Sequence, residues 1–339
     1  MYIKIKFIAS TLHYITLNMD CDISMTDSIT VSKTKKTLDV KPPKKPSFTI
    51  ETDDDHLKLH TLTLVSGKRG GGKSVATANY IRLCKDKQYF QRCWLITPTY
   101  ASNKEIWNIA DIQEEDVLEP TVTALKEITK LVEAEKQEWQ LFLQQKELYE
   151  KFHTDMKHKA IKNIKSEQLM AYYEMGLLDD PGMEKPKWKH PLECPPRLAL
   201  IIDDCLGTDL MARRTAGLVN TCIKHRHLSD GLGLSIFMLV QSYCAQGGVA
   251  RPIRENATSL WLFKINDYNQ IKKVKEEADL PVSEEDFEKM CNYCHEKPYG
   301  FILCDFNPKS EDKRFRCGFD EYLHAPSLNN KELIKSKHT

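Results

Sequence analysis

Residues 67–74 read GKRGGGKS, a segment in which glycines, a lysine and a serine stand at fixed spacing. The segment fits the pattern G-x-x-x-x-G-K-[ST], and it lies between a strand-like apolar run and a helix-like run. Glycines permit a tight turn whose backbone N–H groups point inward at phosphate oxygens, next to the positive end of a helix. A flexible glycine-rich turn is the alternative, but motif and context agree on a phosphate-binding loop.

Two aspartates follow the apolar run LALII at residues 198–202. Carboxylates at the end of a buried strand need a compensating partner, and a metal beside the phosphate loop would provide one. We expect Asp203 to bind Mg²⁺ and Asp204 to orient or deprotonate the attacking water. The alternative, stronger for Asp204 than for Asp203, is an aspartate that caps the following segment.

A third apolar run, LSIFMLV, ends at Gln241. A glutamine there can hydrogen-bond the water or the γ-phosphate without adding negative charge, so we predict that it senses the phosphate. Residues 204–207 also fit the D-x-x-G pattern of GTPases, but residues 103–106, NKEI, fail the guanine-reading pattern N-K-x-D at its last position. The sequence therefore favours ATP.

The loop itself supplies the predicted nucleotide contacts. We expect Lys73 to reach the β- and γ-phosphates and the Ser74 hydroxyl to bind Mg²⁺, so that ATP and Mg²⁺ are the predicted cofactors. The predicted nucleotide-binding residues are Gly67, Lys68, Arg69, Gly70, Gly71, Gly72, Lys73, Ser74 and Val75.

Strands that alternate with helices place these motifs in an α/β fold with a mostly parallel central sheet flanked by helices. We predict an ATPase domain over residues 57–320. Within it, residues 120–195 combine apolar residues at helical spacing with a later run of prolines, which predicts a helical insertion and a Pro-rich linker. We expect a disordered N-terminal extension at 1–56 and a polar C-terminal tail at 321–339.

The composition is that of a globular protein, because 41% of the 339 residues are apolar and 29% are charged. Lys and Arg number 49 against 48 Asp and Glu, so contact with nucleic acid requires a local basic patch. The 11 cysteines follow no disulfide framework and predict reduced thiols inside a cell. The N-terminal run is only mildly apolar, and no other run approaches the roughly 18 apolar residues of a membrane span.

The order of the motifs resembles that of a known family. The phosphate loop is followed by WLITPTY, LIIDD, HRHLSDGLGLSIFMLVQSY, RPIREN and LWLFK. This order is similar to that of the genome-packaging ATPases of large eukaryotic DNA viruses, the poxvirus-type members of the FtsK–HerA superfamily. The resemblance covers about residues 57–320 and is clearest at the double aspartate, at Arg226-His227 and at Arg254-Glu255-Asn256.

The resemblance implies a RecA-like P-loop ATPase that forms a homo-oligomeric ring and moves double-stranded DNA into a preformed capsid. Its implied partners are DNA and capsid proteins, and its implied location is the virion or the viral assembly site in the host cytoplasm. Arg254 matches the arginine that would reach a neighbouring subunit's nucleotide, with Arg251 as the nearby alternative. A DNA helicase or pump of the same superfamily, and an ATP-gated capsid-assembly scaffold with little turnover, are the alternative functions.

Cysteines near the end of the chain raise the question of a zinc site. Cys291 and Cys294 have the C-x₂-C spacing of zinc ligands, with Cys304 and Cys317 further on. The last two fall in strand-like runs and no second C-x₂-C pair follows. Zinc is therefore the less favoured interpretation.

A basic cluster lies between the paired aspartates and the third apolar run. In a motor it could contact backbone phosphates without reading sequence, whereas a solvated helix face is the ordinary alternative. The cluster consists of Arg213, Arg214, Lys224, His225 and Arg226.

We predict that the double change Arg213→Ala and Arg214→Ala lowers DNA-stimulated ATP turnover more than basal turnover, because phosphate contacts are lost while the nucleotide site is kept. Steady-state ATPase assays with and without linear duplex DNA measure both rates. Equal losses in the two rates would contradict a DNA-contacting role.

Overall fold

The computed structural model describes residues 24–26, 29–31, 51–158, 163–180, 182–211, 216–243, 249–265 and 268–326. The strands are β1 (Ser24–Thr26), β2 (Ile29–Val31), β3 (Leu62–Ser66), β4 (Arg92–Ile96), β5 (Val117–Leu118), β6 (Leu198–Ile202), β7 (Ser235–Val240), β8 (Ser259–Phe263), β9 (Phe301–Asp305), β10 (Phe315–Cys317) and β11 (Glu321–Tyr322). The helices are α1 (Lys73–Asp86), α2 (Tyr100–Ile109), α3 (Ala124–His158), α4 (Ser166–Glu174), α5 (Ala216–Lys224), α6 (Arg251–Asn256), α7 (Tyr268–Glu277) and α8 (Glu284–His295).

Nine strands form one sheet in the order β11-β10-β9-β8-β3-β7-β6-β4-β5. The six strands from β8 to β5 run parallel to one another, and β9, β10 and β11 extend the sheet antiparallel beyond β8. Both edge strands, β5 and β11, are two residues long. The mostly parallel α/β fold predicted from the sequence is thus confirmed. Strands β1 and β2 pair with each other in a separate N-terminal unit.

Both faces of the sheet are covered, which explains why the central strands are apolar at successive positions. Strands β3, β6, β7 and β8 are buried along their whole length. Helices α3, α5, α7 and α8 contribute to the core on one face, and α1 and α2 to the core on the other. The parallel strands therefore end together at one edge of a rigid, two-sided core.

The predicted helical insertion is observed as α3, of 35 residues, and α4. The first turns of α3 belong to the main core, where Ile128 and Val132 are fully buried. The proline-rich segment folds back onto the middle of α3, because the Trp188 ring lies 4.9 Å from that of Trp139 and 5.2 Å from that of Phe142.

Two charged residues of α3, Glu135 and Lys146, occupy positions where the helical spacing predicts apolar ones. Glu135 is only 5% exposed. Its carboxylate lies 2.7 Å from the Lys189 ammonium and 3.9 Å from the Arg92 guanidinium. The break in apolar spacing therefore reflects a buried ion pair that joins the insertion to its linker, since a buried charge needs partners.

The domain is longer at both ends than the boundaries predicted from the sequence. Residues 51–56 pack against it, with the Asp53 amide 2.9 Å from the Tyr89 hydroxyl and the Arg316 guanidinium donating to the carbonyls of Asp54 and Asp55. β11 falls within the predicted C-terminal tail, yet it pairs with β10. The sequence hid residues 51–56 because their side chains are polar and their Arg316 partner lies about 260 residues away in the chain. It hid β11 because the strand is only two residues long and is not buried. The rest of the predicted extension, apart from β1 and β2, and residues 327–339 lie outside the described residues.

Among the residues that the structure describes, no helix has both the length and the apolar character needed to cross a membrane.

A stability prediction follows from Gly300, which lies just before β9. An ideal Cβ at this position would overlap the backbone carbonyl of Cys294 at the end of α8. We expect Gly300→Ala to lower the free energy of unfolding by about 1–3 kcal/mol, because neither backbone can yield cheaply. Urea denaturation measures the change. Gly217→Ala is the matched control, since its Cβ would meet only Leu125 at 3.9 Å, and an equal loss there would contradict the steric cause.

Candidate functional site

Three strand ends meet at one edge of the sheet. Gly67 follows β3, Asp203 follows β6 and Gln241 follows β7, and β7 pairs with both β3 and β6. The Gly67 amide donates to the carbonyl of Val240 at 3.1 Å, which joins the loop to the end of β7. A cleft of about 970 Å³ opens here and is lined by the phosphate loop, both aspartates and Gln241. The structure therefore brings together the predicted catalytic and nucleotide-binding residues, apart from Arg254.

The phosphate loop requires glycine at two of its positions. Gly72 has a φ of 94°, in the left-handed region, immediately before α1 begins at Lys73. At Gly67 an added Cβ would lie 2.5 Å from the Cβ of Phe263 in β8. The loop is therefore pressed against the neighbouring strand, and its shape is fixed by the sheet.

Ser74 and Asp203 are in direct contact. The Ser74 hydroxyl donates to the Asp203 carboxylate at 3.0 Å, and Asp203 is 4% exposed. The pKa of Asp203 is raised to about 6, mainly because the carboxylate is buried; the Ser74 hydrogen bond lowers this pKa, the Asp204 charge raises it, and the Lys73 charge lowers it. Burial likewise lowers the pKa of Lys73, although both aspartates oppose this effect.

This pair fits a magnesium ion. A buried carboxylate with a raised pKa gains from a cation, and Mg²⁺ takes one or two protein oxygens together with substrate phosphates. Ser74 and Asp203 would hold it. In the described ranges no group of three or more His, Cys, Asp or Glu residues could hold a metal ion.

Asp204 faces the cleft beside Gln241. Its backbone has a φ of 52°, which a non-glycine residue adopts at some cost. The Gln241 amide donates to its carboxylate at 3.4 Å. The described residues that follow, 205–211, form turns without a helix, so Asp204 caps no helix there. Its exposed carboxylate is available to a water molecule in the cleft.

The structure places Arg254 in an intramolecular ion pair. Its guanidinium donates to both oxygens of Glu277, at 2.7 and 3.1 Å, and lies 5.4 Å from the centre of the Tyr243 ring. The side chain is 14% exposed, whereas that of Arg251 is 78% exposed beside Glu255. For Arg254 to reach a neighbouring nucleotide, its pair with Glu277 would have to open, which favours Arg251 more than the sequence did.

The basic cluster is smaller than predicted. His225 is 2% exposed and contacts the carbonyls of Cys222 and His60, and burial lowers its pKa, so it is a neutral core residue. Lys224 and Arg226 are exposed. Arg213 and Arg214 lie outside the described residues.

The four late cysteines, Cys291, Cys294, Cys304 and Cys317, belong to the main core. Burial raises the pKa of the Cys291 thiol to about 12. Zinc binds the thiolate form of cysteine, which burial disfavours here. These four cysteines therefore behave as small apolar residues.

Sequence reasoning missed several residues that line the cleft. Thr99 and Asn103 follow β4, and the aromatic side chains of Tyr299 and Phe319 come from the antiparallel part of the sheet. Thr99 could have been found by the same rule as Asp203, because β4 runs parallel to β6 and ends at the same edge. No local pattern marks the two aromatic residues.

A phosphate loop between a central strand and a helix, with a buried aspartate two strands away, defines a RecA-like P-loop nucleotide-binding fold. The chain has this fold.

No protein-family model matches the chain, and no curated protein sequence matches it. Solved structures to which it is similar include the genome-packaging NTPase B204 of Sulfolobus turreted icosahedral virus 2 in complex with ATP-gammaS, at 12% identity over 78% of this chain and 98% of that chain, with a TM-score of 0.38. The pCW3 conjugation coupling protein TcpA with ATPgS matches at 17% identity over 93% and 81%, with a TM-score of 0.39. EssC ATPases 2 and 3 from Geobacillus thermodenitrificans match at 13% identity over 82% and 44%, with a TM-score of 0.39.

The buried carboxylate leads to a prediction about stability. Because the pKa of Asp203 in the folded protein is about 6, above its unfolded value, its charge destabilises the nucleotide-free protein above pH 6. We expect Asp203→Asn to raise the free energy of unfolding by on the order of 1–3 kcal/mol at pH 8 without Mg²⁺, while ATP hydrolysis falls at least about 100-fold.

Urea denaturation at pH 8 and pH 5 measures this effect, which should shrink at pH 5, where the folded wild type is protonated. Asp204→Asn, at an exposed carboxylate, is the control and should change the stability by less than about 0.5 kcal/mol. A destabilised Asp203→Asn protein at pH 8 would contradict the argument.

Proposed function

We propose that this chain is an ATP-driven motor that moves double-stranded DNA into a preformed viral capsid. The proposed ATPase activity is supported by one observation: the phosphate loop, the paired aspartates and Gln241 lie together at the ends of three neighbouring strands. The order of its sequence motifs, which resembles that of viral genome-packaging ATPases, supports the DNA and capsid part.

Each residue has a defined part in an in-line attack of water on the γ-phosphate. Lys73 offsets charge on the phosphoryl group, and Ser74 and Asp203 would hold Mg²⁺, which would supply further neutralisation of the phosphate charge. Asp204 accepts a proton from the water or orients it, and Gln241, whose amide lies 3.4 Å from the Asp204 carboxylate, senses the γ-phosphate.

Coupling to DNA would use exposed cations outside the cleft. Lys224 and Arg226 are exposed at the end of α5 and just after it. Their contacts with backbone phosphates would be independent of sequence, as a packaging motor requires. A homo-oligomeric ring, capsid proteins as partners, and a place in the virion or at the cytoplasmic assembly site belong to the same proposal.

Two other functions use the same site. A helicase or pump of this superfamily would act on DNA without a capsid, and an ATP-gated assembly scaffold would bind ATP with little turnover. The scaffold predicts an intact nucleotide site whose slow hydrolysis does not respond to DNA.

We expect the purified protein to hydrolyse ATP. We also expect linear duplex DNA to raise the rate of hydrolysis, because a motor couples ATP hydrolysis to movement of its substrate. Lys73→Ala should lower both rates at least about 100-fold through loss of charge at the phosphates. A steady-state assay of phosphate release measures both.

Lys130→Ala, at an exposed residue of α3, is the matched control and should leave both rates unchanged. ATP binding without DNA stimulation would favour the scaffold. Stimulation together with strand separation of a duplex would favour a helicase.

A further inference from the structure

Tyr299 is unusual in both its exposure and its backbone conformation. Its side chain is 73% exposed, although it lies in the wall of the cleft. Its φ of 55° lies in the left-handed region, which a bulky residue rarely adopts. Such a conformation costs free energy, and it is retained where the surroundings enforce it, often at a site that binds something.

The backbone on either side of Tyr299 is firmly held. The Gly300 amide donates to the Lys297 carbonyl at 3.0 Å, and a Cβ at Gly300 would overlap the Cys294 carbonyl at the end of α8. On the other side β9 begins at Phe301, whose ring stacks on that of Phe263 at 4.6 Å. The tyrosine is therefore presented from a rigid corner between α8 and β9.

This corner places the tyrosine against the phosphate loop. An ideal Cβ at Gly72 would lie 3.1 Å from the Tyr299 Cβ and 3.2 Å from its ring atom Cδ1. The phosphate-binding groups, Lys73 and Ser74, begin at the next residue. The ring thus stands beside the place where a triphosphate would bind, without occupying the loop itself.

The cleft continues past the phosphate loop along α1. Val75 and Asn79 line this part, and Phe319 lines it as a second aromatic residue. Phe319 is anchored by edge contacts with Trp261 and Phe301, both at 5.2 Å. The lining of the cleft therefore includes aromatic and apolar side chains as well as the charged groups at Asp203. A nucleotide needs both kinds of surface, because its base is aromatic and its phosphates are charged.

We propose that Tyr299 is the residue on which the base of the bound nucleotide stacks, with Phe319 as the apolar wall behind it. The proposal rests on the proposed nucleotide-binding function and adds a binding residue to the same site. Ordering a tyrosine side chain costs little entropy because it has only two χ angles, and base–aromatic contact gives affinity without involving the phosphates.

The test compares ATP with inorganic tripolyphosphate, which has the phosphates without the base. In the presence of Mg²⁺, we expect Tyr299→Ala to weaken ATP binding about 10-fold and tripolyphosphate binding less than about 2-fold, while Tyr299→Phe binds both like the wild type. Isothermal titration calorimetry gives the affinity of each protein for each ligand. Tyr299→Gly, which removes the ring and suits the left-handed backbone, should behave like Tyr299→Ala in a fully folded protein.

Tyr173→Ala is the matched control, because that tyrosine is 59% exposed on α4 and does not line the cleft. Equal weakening of ATP and tripolyphosphate binding by Tyr299→Gly would overturn the proposal and make Tyr299 a support of the loop. Unchanged ATP binding would also overturn it. If the wild type binds tripolyphosphate and ATP equally well, the stacking proposal is wrong, but the phosphate-binding site is supported. If the wild type binds neither ligand, the proposed function itself is contradicted.

Discussion

A carboxylate buried at the end of a strand is the constraint around which the site is arranged. Asp203 is held by its amide, which donates to the Ile96 carbonyl at 2.9 Å, and its carboxylate accepts from Ser74. The strand that carries it is apolar on both faces, so water cannot stabilise the charge. Lys73 and a cation must do so instead. Positive charge is therefore strongly stabilising at the edge of the sheet where the phosphate loop lies.

The sequence was sufficient where chemistry depends on local pattern. The phosphate loop, the aspartate pair and Gln241 each follow an apolar run, and parallel strands that end together bring such residues to one edge. What could not be predicted depends on contacts between distant parts of the chain. The Tyr299 side chain meets Gly72 across more than 200 residues. His225 looks basic in sequence but is buried against the segments just before β3 and β7, where its ring contacts the His60 carbonyl and its own carbonyl accepts from the Leu234 amide.

The helical insertion is joined to the domain in two different ways. At its base, α3 shares the main core, and further along Glu135 and the linker tryptophan fasten it to the returning chain. At its far end Phe152, Tyr172 and Leu177 form a small apolar cluster of their own. There the Asp155 carboxylate accepts from the Tyr172 hydroxyl at 2.9 Å. The insertion thus has its first turns in the main core and its far end in a separate apolar cluster. This arrangement would let its far end move without disturbing the core of the ATPase domain.

The two-residue margins of the sheet limit how copies of this chain could associate. Long unpaired strands invite backbone pairing with other molecules. Here β5 and β11 each offer only two residues for such pairing. Neither margin is a template on which a further strand could grow. Within the described residues, contacts between copies would therefore rely on side chains of helices and loops, not on strand pairing at these two margins.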